Sequence, residues 1–221
     1  RYMPAEMGGA EAFIKIYEET LAMVKEVEHL TINPADYAYE ITKTGKRDDS
    51  VENYRIHRQK QEGLYYVEYH PAGGDANVEH LLAALDYAVT LDQVEARIAP
   101  DQALFFINLT ADEARKIAEI TDDSAENDFR RSVSCVGSTI CQIGMQDSNG
   151  LLKDIFAHLE KKGVDTRKLP RLHISGCPHS CGTHQIGEIG FHGAVKLVDK
   201  KPTVAFILVD GGSEHMGSEN F

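Results

Sequence analysis

The sequence predicts an α+β protein built from two successive α+β units. Two observations carry this reading. Segments with a helical apolar repeat alternate with short aromatic or β-branched runs, and the order of elements changes from one half of the chain to the other. In addition, two cysteine pairs each follow a predicted strand, with a predicted helix between them. The chain has 221 residues, 42% apolar and 26% charged, enough to bury a core without covalent staples.

The elements follow in order. From about residue 9 to 28, Phe13, Ile16, Tyr17, Leu21, Val24 and Val27 recur at helical spacing. The stretch "KTGKRDDSVEN" (43–53) is polar and reads as an exposed connection. "GLYYVEYH" (63–70) is aromatic-rich and reads as a strand. "PAGGD" is a turn, and Asn77 then caps a helix in "NVEHLLAALDYAV". "VEARIA" and "ALFFINL" are strands separated by Pro100. Thr110 and Glu113 form a capping box that starts another helix. After "RRSVS" comes the first cysteine pair, then a helix in "SNGLLKDIFAHLEKKG" closed by Gly163. "RLHIS" is a strand that delivers the second pair. "GAVKLV" and "TVAFILV" form a hairpin across "DKKP", and the tail from "GGSEHMGSENF" is polar.

Composition narrows the function. The net charge of −12 argues against nucleic acid as a partner, because phosphate binding needs clustered Lys and Arg. The longest apolar run, "VAFILV", is too short to span a membrane. No signal-peptide pattern opens the sequence, so a cytoplasmic location is expected.

The cysteines, Cys135, Cys141, Cys177 and Cys181, are spaced C-x5-C and C-x3-C. Outside secretion such pairs are metal or redox sites before they are disulfides. A strand–helix–strand crossover can bring both strand ends to one edge, where four thiolates converge. Soft thiolates select zinc or iron–sulfur clusters. The second pair fits a zinc knuckle but the first does not. Compact ferredoxin runs are also absent. Spacing therefore favours a [4Fe–4S] cluster, with a zinc-stabilised four-cysteine binding module, without redox activity, as the alternative. Gly137, Gly176 and Gly182 would let backbone approach such a centre closely. His173, on a predicted strand, is read as packed or exposed; His184 and His192 flank the motif and are read as hydrogen-bonded neighbours in preference to proton donors.

"SCVGSTICQIG" followed by "SGCPHSCGTHQIGEIGFHG" resembles the cluster motif of the sirohaem-dependent nitrite and sulphite reductases. Gly176, Cys177, Pro178, Cys181, Gly182, Ile189, Gly190 and Gly193 match it. His179 stands where the family usually has Asn, and Glu188 where it usually has Asp. "QKQEGLYYVEY" and "VEARIAPDQALFFINL" resemble one half of the family's ferredoxin-like repeat domain. "RYMPAEMGGAEAFIKIYEETL" resembles the helix that follows the family's first half.

The resemblance implies a ferredoxin-like half-repeat packed against a [4Fe–4S]/sirohaem domain. The implied division is a linker helix and connection over 1–50, the half-domain over 51–125 and the cluster domain over 126–221. It also implies that Cys135, Cys141, Cys177 and Cys181 hold the [4Fe–4S] cluster, with Cys181 bridging to the sirohaem iron. Gly176, Pro178, His179 and Ser180 would lie beside the cofactors. The implied reaction is six-electron reduction of sulphite or nitrite, with electrons from ferredoxin or a flavoprotein. "CGTHQIGEIGFHG" is somewhat closer to bacterial sulphite reductases. Family members have two halves, so this chain corresponds to the C-terminal one, and sirohaem would need the missing N-terminal half. No catalytic residue is expected here, since no Lys or Arg falls between Arg171 and Lys196.

Overall fold

The computed structural model of the chain describes residues 6–28 and 39–213. They fall into two units, Arg1–Thr42 and Lys43–Phe221. In the first unit the apolar repeat forms α1 (Ala10–Val27), which ends where Glu28 turns extended. The polar tail expected from sequence lies almost wholly outside the described residues. Among the described residues, no helix is long and apolar enough to cross a membrane.

The second unit begins with an antiparallel sheet. Its strands are β1 (Ile56–Arg58), β2 (Tyr65–Tyr69), β3 (Glu95–Ile98) and β4 (Leu104–Leu109), in the order β1-β2-β4-β3. Two helices, α2 (Val78–Ala88) and α3 (Ala111–Ile120), pack on it. The core joins Tyr65, Val67, Tyr69, Phe106 and Leu109 of the strands to Ala84, Ala88, Ala114 and Ile117 of the helices. Small residues on the helix faces let the backbones come close to the aromatic strand face. Helix starts follow the sequence signals. The Asn77 side chain accepts from the Glu79 and His80 amides, and Glu113 accepts from the Thr110 amide at 2.8 Å.

Two features depart from the sequence reading. The strand β1 carries no strand signal of its own; "IHR" is short and charged, and it becomes a strand by pairing with β2 at the sheet edge. The stretch 43–53, expected to be an exposed connection, is anchored at three points. Val51 is buried, the Lys43 ammonium meets Glu113 at 2.7 Å with both side chains largely covered, and the Asp48 amide donates to the Tyr65 hydroxyl at 2.8 Å.

The second sheet has the order β5-β6-β7-β8. Its strands are β5 (Val133–Ser134), β6 (Leu172–Ser175), β7 (Ile189–Val198) and β8 (Lys201–Asp210). The first three run parallel, and β8 returns antiparallel. Parallel neighbours need a crossover, and α4 (Ser148–Lys161) supplies it between β5 and β6. Asp147 caps α4 through the Gly150 amide at 2.8 Å. Gly163 ends it at φ 64°, with the Val164 amide reaching back to the Leu159 carbonyl. Phe156 and Leu152 on α4 close over Phe129, Leu172 and Ile174. The β7–β8 hairpin turns on Asp199 and Lys200, both with positive φ, as a two-residue hairpin loop requires.

Candidate cofactor site

Parallel pairing aligns β5 and β6 so that Val133 faces His173 and Ser134 faces Ile174. Their C-terminal ends therefore stop at the same edge. Cys135 follows β5 and bonds the Ile174 carbonyl through its amide at 3.0 Å. Gly176 and Cys177 follow β6, and the Gly176 amide donates to the Cys135 sulphur at 3.1 Å. The Gly176 carbonyl accepts from the Met145 and Gln146 amides, both at 3.0 Å. The loop from Cys135 to Gln146 is thereby folded back onto the second cysteine segment. Cys141 sits within it, its amide on the Gly137 carbonyl at 2.9 Å.

This junction tolerates no side chains. A Cβ on Gly176 would stand 2.6 Å from the Gln146 carbonyl oxygen and 3.0 Å from the Gly137 Cα. One on Gly193 would stand 2.1 Å from the Gly176 carbonyl oxygen. Three backbones meet here, which is why the motif is glycine-rich.

The second cysteine loop is held by its own polar staple. The Ser175 hydroxyl accepts from the Gly182 amide at 3.1 Å and pairs with His184 Nδ1 at 2.9 Å. His184 is buried and stacks on His192, ring centroids 4.7 Å apart. Burial, and then the neighbouring His192, hold its pKa down to about 4. His184 is therefore neutral at pH 7. His173 is also buried and bonds Thr183 through Nδ1 at 2.8 Å. His184 and His192, expected as hydrogen-bonded neighbours of the motif, make such bonds, and His173, expected to be packed or exposed, is packed.

All four thiols are free. Cys177 is buried, Cys135 and Cys141 are half-buried, and Cys181 is exposed. Pro178 and His179 lie next to Cys181 in the loop, while Ser180 is half-buried with its hydroxyl on Gln185. A tetrahedral zinc with Zn–S bonds of ~2.3 Å places its sulphurs ~3.8 Å apart. Among the described residues, no three of these sulphurs come within 4.8 Å of one another; the one such group is His80, Asp122 and Asp123. The donor chemistry, four free thiols on two loops that leave one sheet edge, with an amide aimed at the Cys135 sulphur, fits a larger iron–sulfur centre.

Sequence reasoning missed two parts of the site. One is Ser148, the first residue of α4, whose hydroxyl lies 3.1 Å from the Cys135 sulphur. Its only signal was a serine after a capping aspartate. The other is an apolar rim: Val136, Ile140, Ile143 and Met145, on the loop carrying the first pair, are all exposed.

No protein-family model matches the chain. The ferredoxin–nitrite reductase of Synechococcus elongatus is 32% identical over 144 residues, 63% of this chain and 28% of that protein. The chloroplastic ferredoxin–nitrite reductase of Zea mays is 26% identical over 185 residues, 79% of this chain and 32% of that protein. The sulfite reductase [NADPH] hemoprotein beta-component of Bacillus licheniformis is 28% identical over 110 residues, 45% of this chain and 19% of that protein. In sequence the chain is thus similar to nitrite and sulphite reductases over about half to four fifths of its length. Among solved structures, the Mycobacterium tuberculosis NirA protein superposes with a TM-score of 0.65 at 22% identity, over 76% of this chain and 32% of that one. The fold is thus the α+β fold of nitrite/sulphite reductases, as the sequence predicted. The chain spans less than a third of the length of these relatives.

Proposed function

We propose that this chain is the cluster-carrying, C-terminal portion of a sirohaem- and [4Fe–4S]-dependent reductase. The observation that carries the reading is the meeting of both cysteine segments at one sheet edge, with the Gly176 amide on the Cys135 sulphur. Cys135, Cys141, Cys177 and Cys181 would hold the cluster. Cys181, the exposed thiol, is the one able to reach a second cofactor. Gly176, Pro178, His179 and Ser180 would line the contact between the two, and the exposed apolar rim suits the face of a macrocycle. When bound, these cofactors supply single-electron relay and an iron that holds the oxyanion during a six-electron reduction. In this reading 1–50 is linker, 51–125 the ferredoxin-like half-domain and 126–221 the cluster domain.

The protein's part is to fix and shield. The glycine junction sets the separation of the two cysteine segments. The Ser175–His184 staple fixes the chain leaving Cys181. Amides and hydroxyls aimed at sulphur set how much charge it can carry. The longer alignments are with ferredoxin-dependent nitrite reductases, which favours nitrite and ferredoxin over sulphite and a flavoprotein.

Cations for the oxyanion and haem carboxylates must come from the rest of the parent protein. Arg131 is already committed to Glu68 at 2.7 Å and Asp101 at 2.9 Å. Carboxylates left unpaired in a closed site would cost several kcal/mol each. The chain alone, given a strong artificial donor, should bind no sirohaem and turn over neither nitrite nor sulphite. Adding the N-terminal portion of the parent in trans should restore both. Turnover by the chain alone at the parent's rate would contradict the reading.

A further inference from the structure

Ser148 is fully buried. Its hydroxyl has one proton and two acceptors, the Cys135 carbonyl oxygen at 2.7 Å and the Cys135 sulphur at 3.1 Å. The sulphur also receives the Gly176 amide at 3.1 Å. We propose that Ser148 is a positioning residue for Cys135, whose hydroxyl proton turns from the carbonyl oxygen to the sulphur as negative charge builds there. This rests on Cys135 being a cluster ligand.

The two acceptors compete on charge. In the free thiol, the carbonyl is the better acceptor and the S–H can itself donate to the Ser148 oxygen. A metal-bound thiolate has no proton to give, so only donors stabilise it. The Gly176 amide is fixed by the backbone. The hydroxyl is not fixed: its oxygen is within reach of both acceptors, so a rotation about one bond retargets it. The oxygen itself cannot drift, because Ser148 begins α4 behind the Asp147 cap and its amide and hydroxyl crowd the Gly137 backbone. A Cβ at Gly137 would stand 2.7 Å from the Ser148 nitrogen and 2.8 Å from its hydroxyl oxygen. The positive end of the α4 dipole faces the same way and adds to the effect.

The step breaks no covalent bond and transfers no proton between groups. One electron, supplied by an external reductant, raises the charge on the ligand sulphurs, and a dipole turns to meet it. A donor that strengthens on reduction stabilises the reduced form and raises the reduction potential.

The test compares the wild-type chain with Ser148→Ala and Ser148→Thr, each reconstituted anaerobically with iron and sulphide. Iron and sulphide content is measured first, then the midpoint potential by titration with dithionite. The alanine variant should hold wild-type iron yet disfavour reduction about tenfold, which for one electron is a shift of about 59 mV to more negative potential. The threonine variant, which keeps the hydroxyl, should stay near wild type. Equal potentials for wild type and alanine at equal cluster content would overturn the inference alone. A wild-type chain that takes up no iron would bring down the cluster reading and this inference with it. Should the alanine variant hold no cluster, the threonine variant decides: wild-type content and potential support the hydroxyl's role, and loss of the cluster there too overturns it.

Discussion

Replacing Gly176 by alanine should pull the two cysteine segments apart. The new Cβ would meet the Gln146 carbonyl oxygen at 2.6 Å and the Gly137 Cα at 3.0 Å. Both are backbone atoms, so neither can swing away as a side-chain tip would. Overpacking of this kind costs about 1–3 kcal/mol. The Gly176 carbonyl also accepts two amides, those of Met145 and Gln146, and a displaced backbone weakens both, at about 0.5–1.5 kcal/mol each. The expected loss is about 2–6 kcal/mol in the metal-free chain, read by urea unfolding with circular dichroism at pH 7. Gly163→Ala is the matched control. Its Cβ would meet nothing within 4 Å, but φ is +64°, so the change should cost about 1 kcal/mol. Gly176→Ala should also take up little iron on reconstitution, whereas Gly163→Ala should take up a full complement. If Gly176→Ala is destabilised no more than Gly163→Ala and binds iron normally, the junction is not the tight joint described.

Leu152 is fully buried under the second sheet, and Leu152→Ala should cost about 2–5 kcal/mol in the same unfolding experiment; a loss under about 1 kcal/mol would mean that α4 does not close that core. His184 gives a pH signature. Its folded pKa lies at about 4, below the ordinary value of 6.5, so the unfolded chain binds this proton first as pH falls. The stability it contributes is complete above about pH 6.5 and is lost progressively down to about pH 4, amounting to about 3 kcal/mol. The difference between wild type and His184→Gln, measured from pH 7 to 4, should carry that slope. A flat difference curve would show that His184 is not held neutral by its surroundings.

The parts of the fold that were legible in sequence are those with local causes. Asn77 and Glu113 announce helix starts, Gly163 announces an end, and the apolar repeat of α4 announces the helix between the cysteine pairs. The cysteine pairs themselves could be placed at one edge because a parallel crossover leaves few alternatives. What sequence could not show depends on pairing across long separations. The strand β1 exists only because β2 accepts it. Asn108 takes a left-handed conformation at φ 64° inside β4. It can do so because Gln59 bonds both its amide and its side-chain oxygen, and the Gln93 carbonyl takes its side-chain amide. Ser148 looked like an ordinary helix-start serine until the loop from Cys135 folded back beside it. The likeness of "SGCPHSCG" to a cluster motif implied a role for the thiols, but not which of them carries amide and hydroxyl donors.

The central claim is that Cys135, Cys141, Cys177 and Cys181 together hold one [4Fe–4S] cluster. Its most direct test is the iron, acid-labile sulphide and zinc content of the anaerobically reconstituted chain and of its four single Cys→Ser variants, read beside the thiolate-to-iron absorbance. The account predicts four irons and four sulphides per wild-type chain, negligible zinc, and a lost or unstable cluster in every variant. A variant that keeps a full and equally stable cluster, or a wild-type chain that takes up zinc in place of iron, would contradict it.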